Sequence, residues 1–172
     1  MSALSRPRAE GGEGEARRLL ADPDEDVVFR ALGRLCDAGL LRFEDVRPLL
    51  GDVDPKVRRL AIYFLGKAIQ ERGPRALSRG ELWRWFVTPK SVIGWSPHRP
   101  GPPLTPEVEQ ALRIALDDPD SYVRITAIQA IRDIRPLSFL EILEAMRRTE
   151  PNSTVQSNLE IAISAIRCGS RS

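Results

Sequence analysis

Histidine is almost missing from this chain: His98 stands alone among 172 residues, between Pro97 and Arg99. One imidazole with no second histidine or nearby cysteine excludes the usual zinc sites, so an exposed and inert side chain is expected there. Cysteine is nearly as scarce. Cys36 and Cys168 lie far apart and form no CxxC spacing, which excludes a disulfide framework and favours a reducing compartment. No apolar run approaches the roughly 20 residues that a membrane-spanning helix needs, and the opening MSALSRPRAEGGEGEARR lacks the apolar core of a secretory signal. Cytoplasmic residence and no membrane partner are therefore expected. Charge of one sign is also lacking. The 26 basic residues face 24 acidic ones, for a net charge of +2, so net charge alone gives no reason to expect nucleic acid. Lysine is confined to Lys56, Lys67 and Lys90. The resulting arginine excess reads first as the codon usage of a GC-rich genome and only second as phosphate recognition. There is no HExxH, Gly-rich phosphate loop or GxSxG, and the carboxylate pairs Glu107/Glu109 and Asp117/Asp118 suit helix ends and turns better than acid/base chemistry. Nothing here calls for an enzyme, a metal or a cofactor.

What is present is a repeat. LADPDEDVVFRALGRL from Leu20, LGDVDPKVRRLAIYFL from Leu50 and LDDPDSYVRITAIQAI from Leu116 align without gaps, and a weaker copy starts at Met146. Each copy ends one helix on a leucine or methionine, passes an acidic or polar turn, and opens a second helix at Val27, Val57, Val123 or Val155. The middle interval between these valines is about twice the other two. Asp24, Asp54, Asp120 and Asn152 are placed to cap the second helices by accepting their orphan amide hydrogens, and Pro55 and Pro151 suit a first turn that needs no donor. Ala31/Leu35, Ala61/Leu65, Ala127/Ile131 and Leu159/Ile163 then follow the valines at four-residue steps, the stripe of a helix buried on one side. First helices are predicted over 13–21, 43–50, 106–117 and 137–148, with a kink at Pro48. The expected fold is all-α: an α-solenoid of about four to five antiparallel helix pairs, forming one domain over 13–168 with frayed ends at 1–12 and 169–172.

The pattern Asp-x-Asp/Pro…Val-Arg-x-x-Ala-x-x-x-Leu, nearly whole at Asp52–Leu65 and Asp118–Ile131, resembles the HEAT repeat in the short bacterial form also seen in phycobilisome lyase-type HEAT-like proteins. The resemblance covers roughly 13–72 and 104–167. It implies that Arg58 and Arg124 join a structural ladder with Asp52 and Asp118, and that the ladder stops where Val28 and Gln156 take the arginine position. The His-Glu pairs of HEAT-like iron hydroxylases are absent. HEAT-like alkylpurine DNA glycosylases use a basic groove with tryptophans and an aspartate, and no aspartate here matches residue by residue. A lyase-type accessory role likewise has no specific motif behind it.

Function is expected on two features. At about 100° per residue, the positions two, six and nine after each valine point outward. These rows are Phe29, Arg59, Ile125, Ser157; Gly33, Tyr63, Gln129, Ile161; and Cys36, Gly66, Arg132, Ser164. In HEAT-like stacks this side usually lines the concave surface. Large apolar residues with few charges suit a protein partner better than a phosphate backbone, which calls for repeated cations. The second feature is an interruption over 73–104. ALSRGELWRWFVTP allows one helix capped by Ser78, and a stretch with five prolines follows; together they hold Trp83, Trp85 and Trp95. It reads either as an inserted contact loop or as a degenerate repeat whose tryptophans plug the core where two hairpins fail to meet. The candidate partner-binding residues are thus Phe29, Arg59, Tyr63, Ile125, Gln129, Arg132 and the three tryptophans. The less favoured alternative is nucleic acid bound through Arg17, Arg18, Arg34, Arg72, Arg75 and Arg79.

Overall fold

The computed structural model describes residues 9–75 and 104–169, with side chains over 12–70 and 104–169. Trp83, Trp85, Trp95, His98, Arg79 and the helix predicted from Ser78 lie outside the described residues, as do 1–8 and 170–172, and the side chains of Arg72 and Arg75 are not described. Among the described residues the chain is wholly helical. Four antiparallel pairs follow in order: α1 (Ala9–Arg18) with α2 (Glu25–Asp37), α3 (Phe43–Val46) with α4 (Pro55–Arg75), α5 (Pro106–Leu116) with α6 (Ser121–Ile134), and α7 (Leu140–Thr149) with α8 (Ser153–Gly169). Three of the first helices carry a short 3-10 turn: Leu19–Ala21 after α1, Arg47–Gly51 after α3 and Leu137–Phe139 before α7.

Local chemistry sets the helix ends. The carboxylate of Asp24 accepts from the Asp26 N–H at 2.9 Å, that of Asp54 from Lys56 at 2.8 Å, and that of Asp120 from Tyr122 and Val123 at 2.8 and 3.1 Å. Asn152 does the same for Thr154 and Val155 at 2.9 and 3.2 Å. Each cap satisfies amide donors that have no helical carbonyl to meet. Gly39, at φ +69°, turns the chain out of α2, where glycine avoids the steric cost of a left-handed conformation. Arg135 takes the same conformation at φ 58° to end α6, and Pro136 stops the helix from continuing. The kink expected at Pro48 takes the form of a change from α3 to the 3-10 turn.

Two boundaries differ from expectation. Residues 9–12 belong to α1 rather than to a frayed end, and Gly169 belongs to α8 rather than to a tail. The first is anchored by burial of Ala16 and Leu20 and by Arg17, which donates to Asp45 at 2.8 Å and to the Leu40 carbonyl at 3.3 Å. These bonds also remove Arg17 from the pool of cations open to nucleic acid.

The alanine/leucine stripe packs as its spacing requires: Ala31, Leu35, Ala61, Leu65, Ala127, Ile131, Leu159 and Ile163 are all buried. The decisive packing is between α4 and α6, the helix pair with the most extensive contact. A Cβ placed on Gly66 would come within 2.8 Å of the Ala130 Cβ. The second and third described pairs therefore stack directly on each other. The two hairpins that flank 73–104 meet, and whether that stretch is a contact loop or a degenerate repeat lies outside the described residues.

Candidate functional site

Polar groups recur at one edge of the stack. Arg58 donates through Nε and Nη2 to both carboxylate oxygens of Asp118, each at 2.8 Å, and through Nη1 to the carbonyls of Asp52 and Val53 at 2.8 and 3.0 Å. Arg124 repeats the arrangement one pair later. It meets Glu150 at 3.2 and 2.9 Å and the Asp118 and Pro119 carbonyls at 2.8 and 3.1 Å. Each arginine thus ties its own turn, through backbone carbonyls, to the acid of the next turn. Asp52 enters through its carbonyl, while its carboxylate accepts from the Asp54 N–H at 2.8 Å. In the last copy Gln156 donates to the Glu150 carbonyl at 2.6 Å. In the first copy Val28 is buried where the arginine would stand, so no such rung joins α2 to the second turn. Burial of Asp118 opposes its ionisation, but the Arg58 hydrogen bond, the Asp120 N–H and the charges of Arg58 and Arg124 outweigh it and hold the carboxyl below the usual range. These groups bond one another from turn to turn, an arrangement that suits a packing device.

The outward rows divide. Phe29, Tyr63 and Ile161 are 46, 51 and 55 % exposed, Arg59, Gln129, Ser157 and Ser164 are exposed, and Ile125, Arg132 and Gly33 are half-buried. Cys36 and Gly66, expected outside, are buried. The reason is geometric: each second helix is flanked by another, so its buried arc extends past the alanine stripe to Leu32, Ile62 and Ile128 and reaches the ninth position. On α2 and α4 the exposed face is aromatic. Phe29 lies 5.5 Å from Phe64 between ring centroids, Phe64 lies 5.1 Å from Tyr63 edge-on, and Lys67 stands 6.0 Å over the Phe64 ring. On α6 and α8 it is an amide pair, with Gln129 donating to Asn158 at 3.4 Å, beside Ile161. Arg132 there is held by the adjacent Asp133 at 2.7 Å.

The HEAT repeat family model matches residues 101–164. Among solved structures, a designed armadillo repeat protein in complex with peptide (KR)4 aligns with a TM-score of 0.50 and 19 % identity, covering 91 % of this chain and 64 % of that one. The chain is an α-solenoid of the HEAT/armadillo kind, with HEAT repeats over 101–164. An engineered protein aligns with a TM-score of 0.49 and 19 % identity over 93 % of this chain and 64 % of its own length, so the chain spans about 64 % of both neighbours. No curated protein matches it.

Repeat solenoids of this HEAT-like kind are typically scaffolds rather than enzymes. Among the described residues no three His, Cys, Asp or Glu side chains gather in a way that could hold a metal ion, and no helix is long and apolar enough to cross a membrane. An open cavity of about 330 Å³ is lined by Arg147, Glu160, Ile163, Ser164, Arg167 and Cys168. It mixes both signs of charge and has no imidazole to activate the serine or thiol.

Sequence reasoning missed three participants. Glu150 stands five residues before Val155, as Asp52 and Asp118 stand before Val57 and Val123, so the register alone identifies it as the last acid of the ladder. Phe64 occupies a position where α6 and α8 carry Ala130 and Ala162, and that exception marks the aromatic cluster. Asn158 is one step off the outward row and has no such signal.

Proposed function

We propose that this protein is a non-enzymatic adaptor that holds a protein partner on the outer face of α2, α4, α6 and α8, the concave face of a HEAT-like stack. The observation that carries this reading is the exposure of large side chains in the outward rows: Phe29 two residues after its valine on α2, and Tyr63 and Ile161 six after theirs on α4 and α8. Exposed aromatic and aliphatic anchors on a rigid helical frame suit a hot spot for protein association. Arg59, Gln129 and Arg132 supply polar groups around the anchors, and Ile125 supports them from half-buried positions. The structural neighbour solved with a peptide supports a peptide or protein ligand for this architecture. The arginine route to nucleic acid is weakened by the engagement of Arg17.

The test is affinity capture with the full chain, comparing wild type, Phe29→Ala/Tyr63→Ala, and Ile114→Ala on the first-helix side. Proteins enriched by wild type and by Ile114→Ala but lost with the double variant support the reading. Equal capture by all three places binding elsewhere and overturns it.

A further inference from the structure

The register of the second helices separates their two flanks. Where another second helix follows, the fifth position after the valine is apolar and buried, as Leu32, Ile62 and Ile128 are. The third and seventh positions face the second helix that precedes: Ala130 lies against Gly66, and Asn158 accepts from Gln129. At the two ends of the described stack these positions meet no helix, and they carry charge. On α8 the fifth position is Glu160, and on α2 the third and seventh are Arg30 and Arg34; all three are exposed. The first helices carry the opposite signs at the same ends. Glu15 is exposed about 200° round α1 from Arg17, which reaches Asp45 in the second pair, so Glu15 points to the open side. Arg147 follows Glu144, the partner of Arg167 on α8, by three residues and lines the open cavity together with Glu160. No hydrogen bond or ion pair among the described residues engages Glu15, Arg30, Arg34, Arg147 or Glu160.

We propose that these two ends fit each other, so that copies of this chain associate head to tail, the open side of α7 and α8 on one copy against that of α1 and α2 on the next. Continuing the register across the contact sets Glu160 against Arg30 and Arg34 of the next copy, where a guanidinium fork takes both carboxylate oxygens. It sets Arg147 against Glu15 of the next copy. Both pairs are of opposite sign. Terminal repeats carry polar outer faces to stay in solution, but solubility demands no relation between the signs at one end and those at the other. Opposite signs at matching registers are what association demands, and the two ends of one chain supply both halves of the match. The contact is heterologous and so repeats from copy to copy, continuing the outer face from α8 onto α2 of the next copy. It uses neither Phe29 nor Tyr63 and stands independently of the adaptor reading. Exposed ion pairs each contribute little, so the association is weak and sensitive to salt.

The experiment is sedimentation velocity of the full chain, from micromolar to near-millimolar concentration, at low and at high salt. Reducing conditions keep the exposed Cys168 from crosslinking copies. Two charge-reversed variants are compared with wild type: Glu160→Arg at one end, and Arg30→Glu/Arg34→Glu at the other. Wild type is expected to associate as concentration rises and to lose most of that association at high salt. Each variant alone should raise the apparent dissociation constant by about tenfold or more. An equimolar mixture of the two should regain association, because each reversed end then meets an end of opposite sign. Circular dichroism checks that both variants fold, and Glu160→Gln and Arg30→Gln/Arg34→Gln, with smaller losses, give a second measure. Wild type that stays monomeric throughout leaves the two ends as solvated caps and overturns the proposal. So does loss with only one of the two variants, which marks a two-fold contact of one end with itself. Association that both variants leave unchanged, that salt strengthens, or that the mixture fails to regain overturns it as well.

Discussion

The junction of α2 with α4 and that of α4 with α6 are built from one repeat, yet they are held by different chemistry. At the second, Gly66 admits Ala130 closely and Arg58 bonds both oxygens of Asp118. At the first, the arginine position is Val28, the small residue is replaced by Phe64, and the charged links are the exposed pairs Lys56–Glu25 and Lys67–Asp37. A repeat thus leaves two decisions to each junction: how closely the helices approach, and whether a half-buried rung secures the turn. Where both are made for tight packing, the outer surface is amide and aliphatic. Where an aromatic ring does the packing, aromatic side chains also emerge outside, and that is where the candidate site lies.

The largest break in this comparison is expected from Gly66→Leu. The added side chain has nowhere to go against Ala130, and overpacking of this kind costs about 3 kcal/mol; Gly33→Ala, whose Cβ would meet the Phe64 ring at an ordinary 3.8 Å, should be neutral or stabilising by up to about 1 kcal/mol. Urea unfolding of the two variants checks the contrast, and equal destabilisation would remove it. Next comes the rung. Arg58→Ala should cost about 2 kcal/mol, because it leaves Asp118 and two carbonyls without their donor, whereas Lys56→Ala and Lys67→Ala should each cost under about 0.5 kcal/mol.

A smaller effect is expected with pH. The folded-state pKa of Asp118 is depressed, so its contribution is complete above the unfolded value of about 4 and is lost as pH falls through the folded one. Stability measured from pH 7 down to about 2 should therefore fall less steeply in Asp118→Asn than in wild type; parallel curves would show that the rung does not titrate with folding. The smallest stability effect belongs to Tyr63→Ala, about 0.5 kcal/mol for a half-exposed side chain, while partner capture drops.

The repeat was legible because capping, valine and alanine positions answer to forces local to one hairpin. An aspartate before a helix finds its amide donors within three residues, as Asp120 does with Tyr122 and Val123, whatever stands next to the hairpin. The candidate face was only partly legible. Phe29, Tyr63 and Ile161 could be placed outside from helical phase, but Cys36 and Gly66 could not be placed inside, since their burial depends on a neighbouring helix that phase within one helix does not register.

By itself, then, the sequence determined the four helical pairs, their caps and their buried stripes, while the polar edge where Arg58 and Arg124 sit was what the resemblance to the HEAT repeat implied. The tertiary structure decided which pairs touch. The long interval between Val57 and Val123 left open whether the flanking hairpins meet, and the direct packing of α4 on α6 shows that they do. It also decided that Phe64 joins Phe29 to Tyr63. These are contacts between hairpins, which depend on how two surfaces fit and not on the propensities of either chain segment alone.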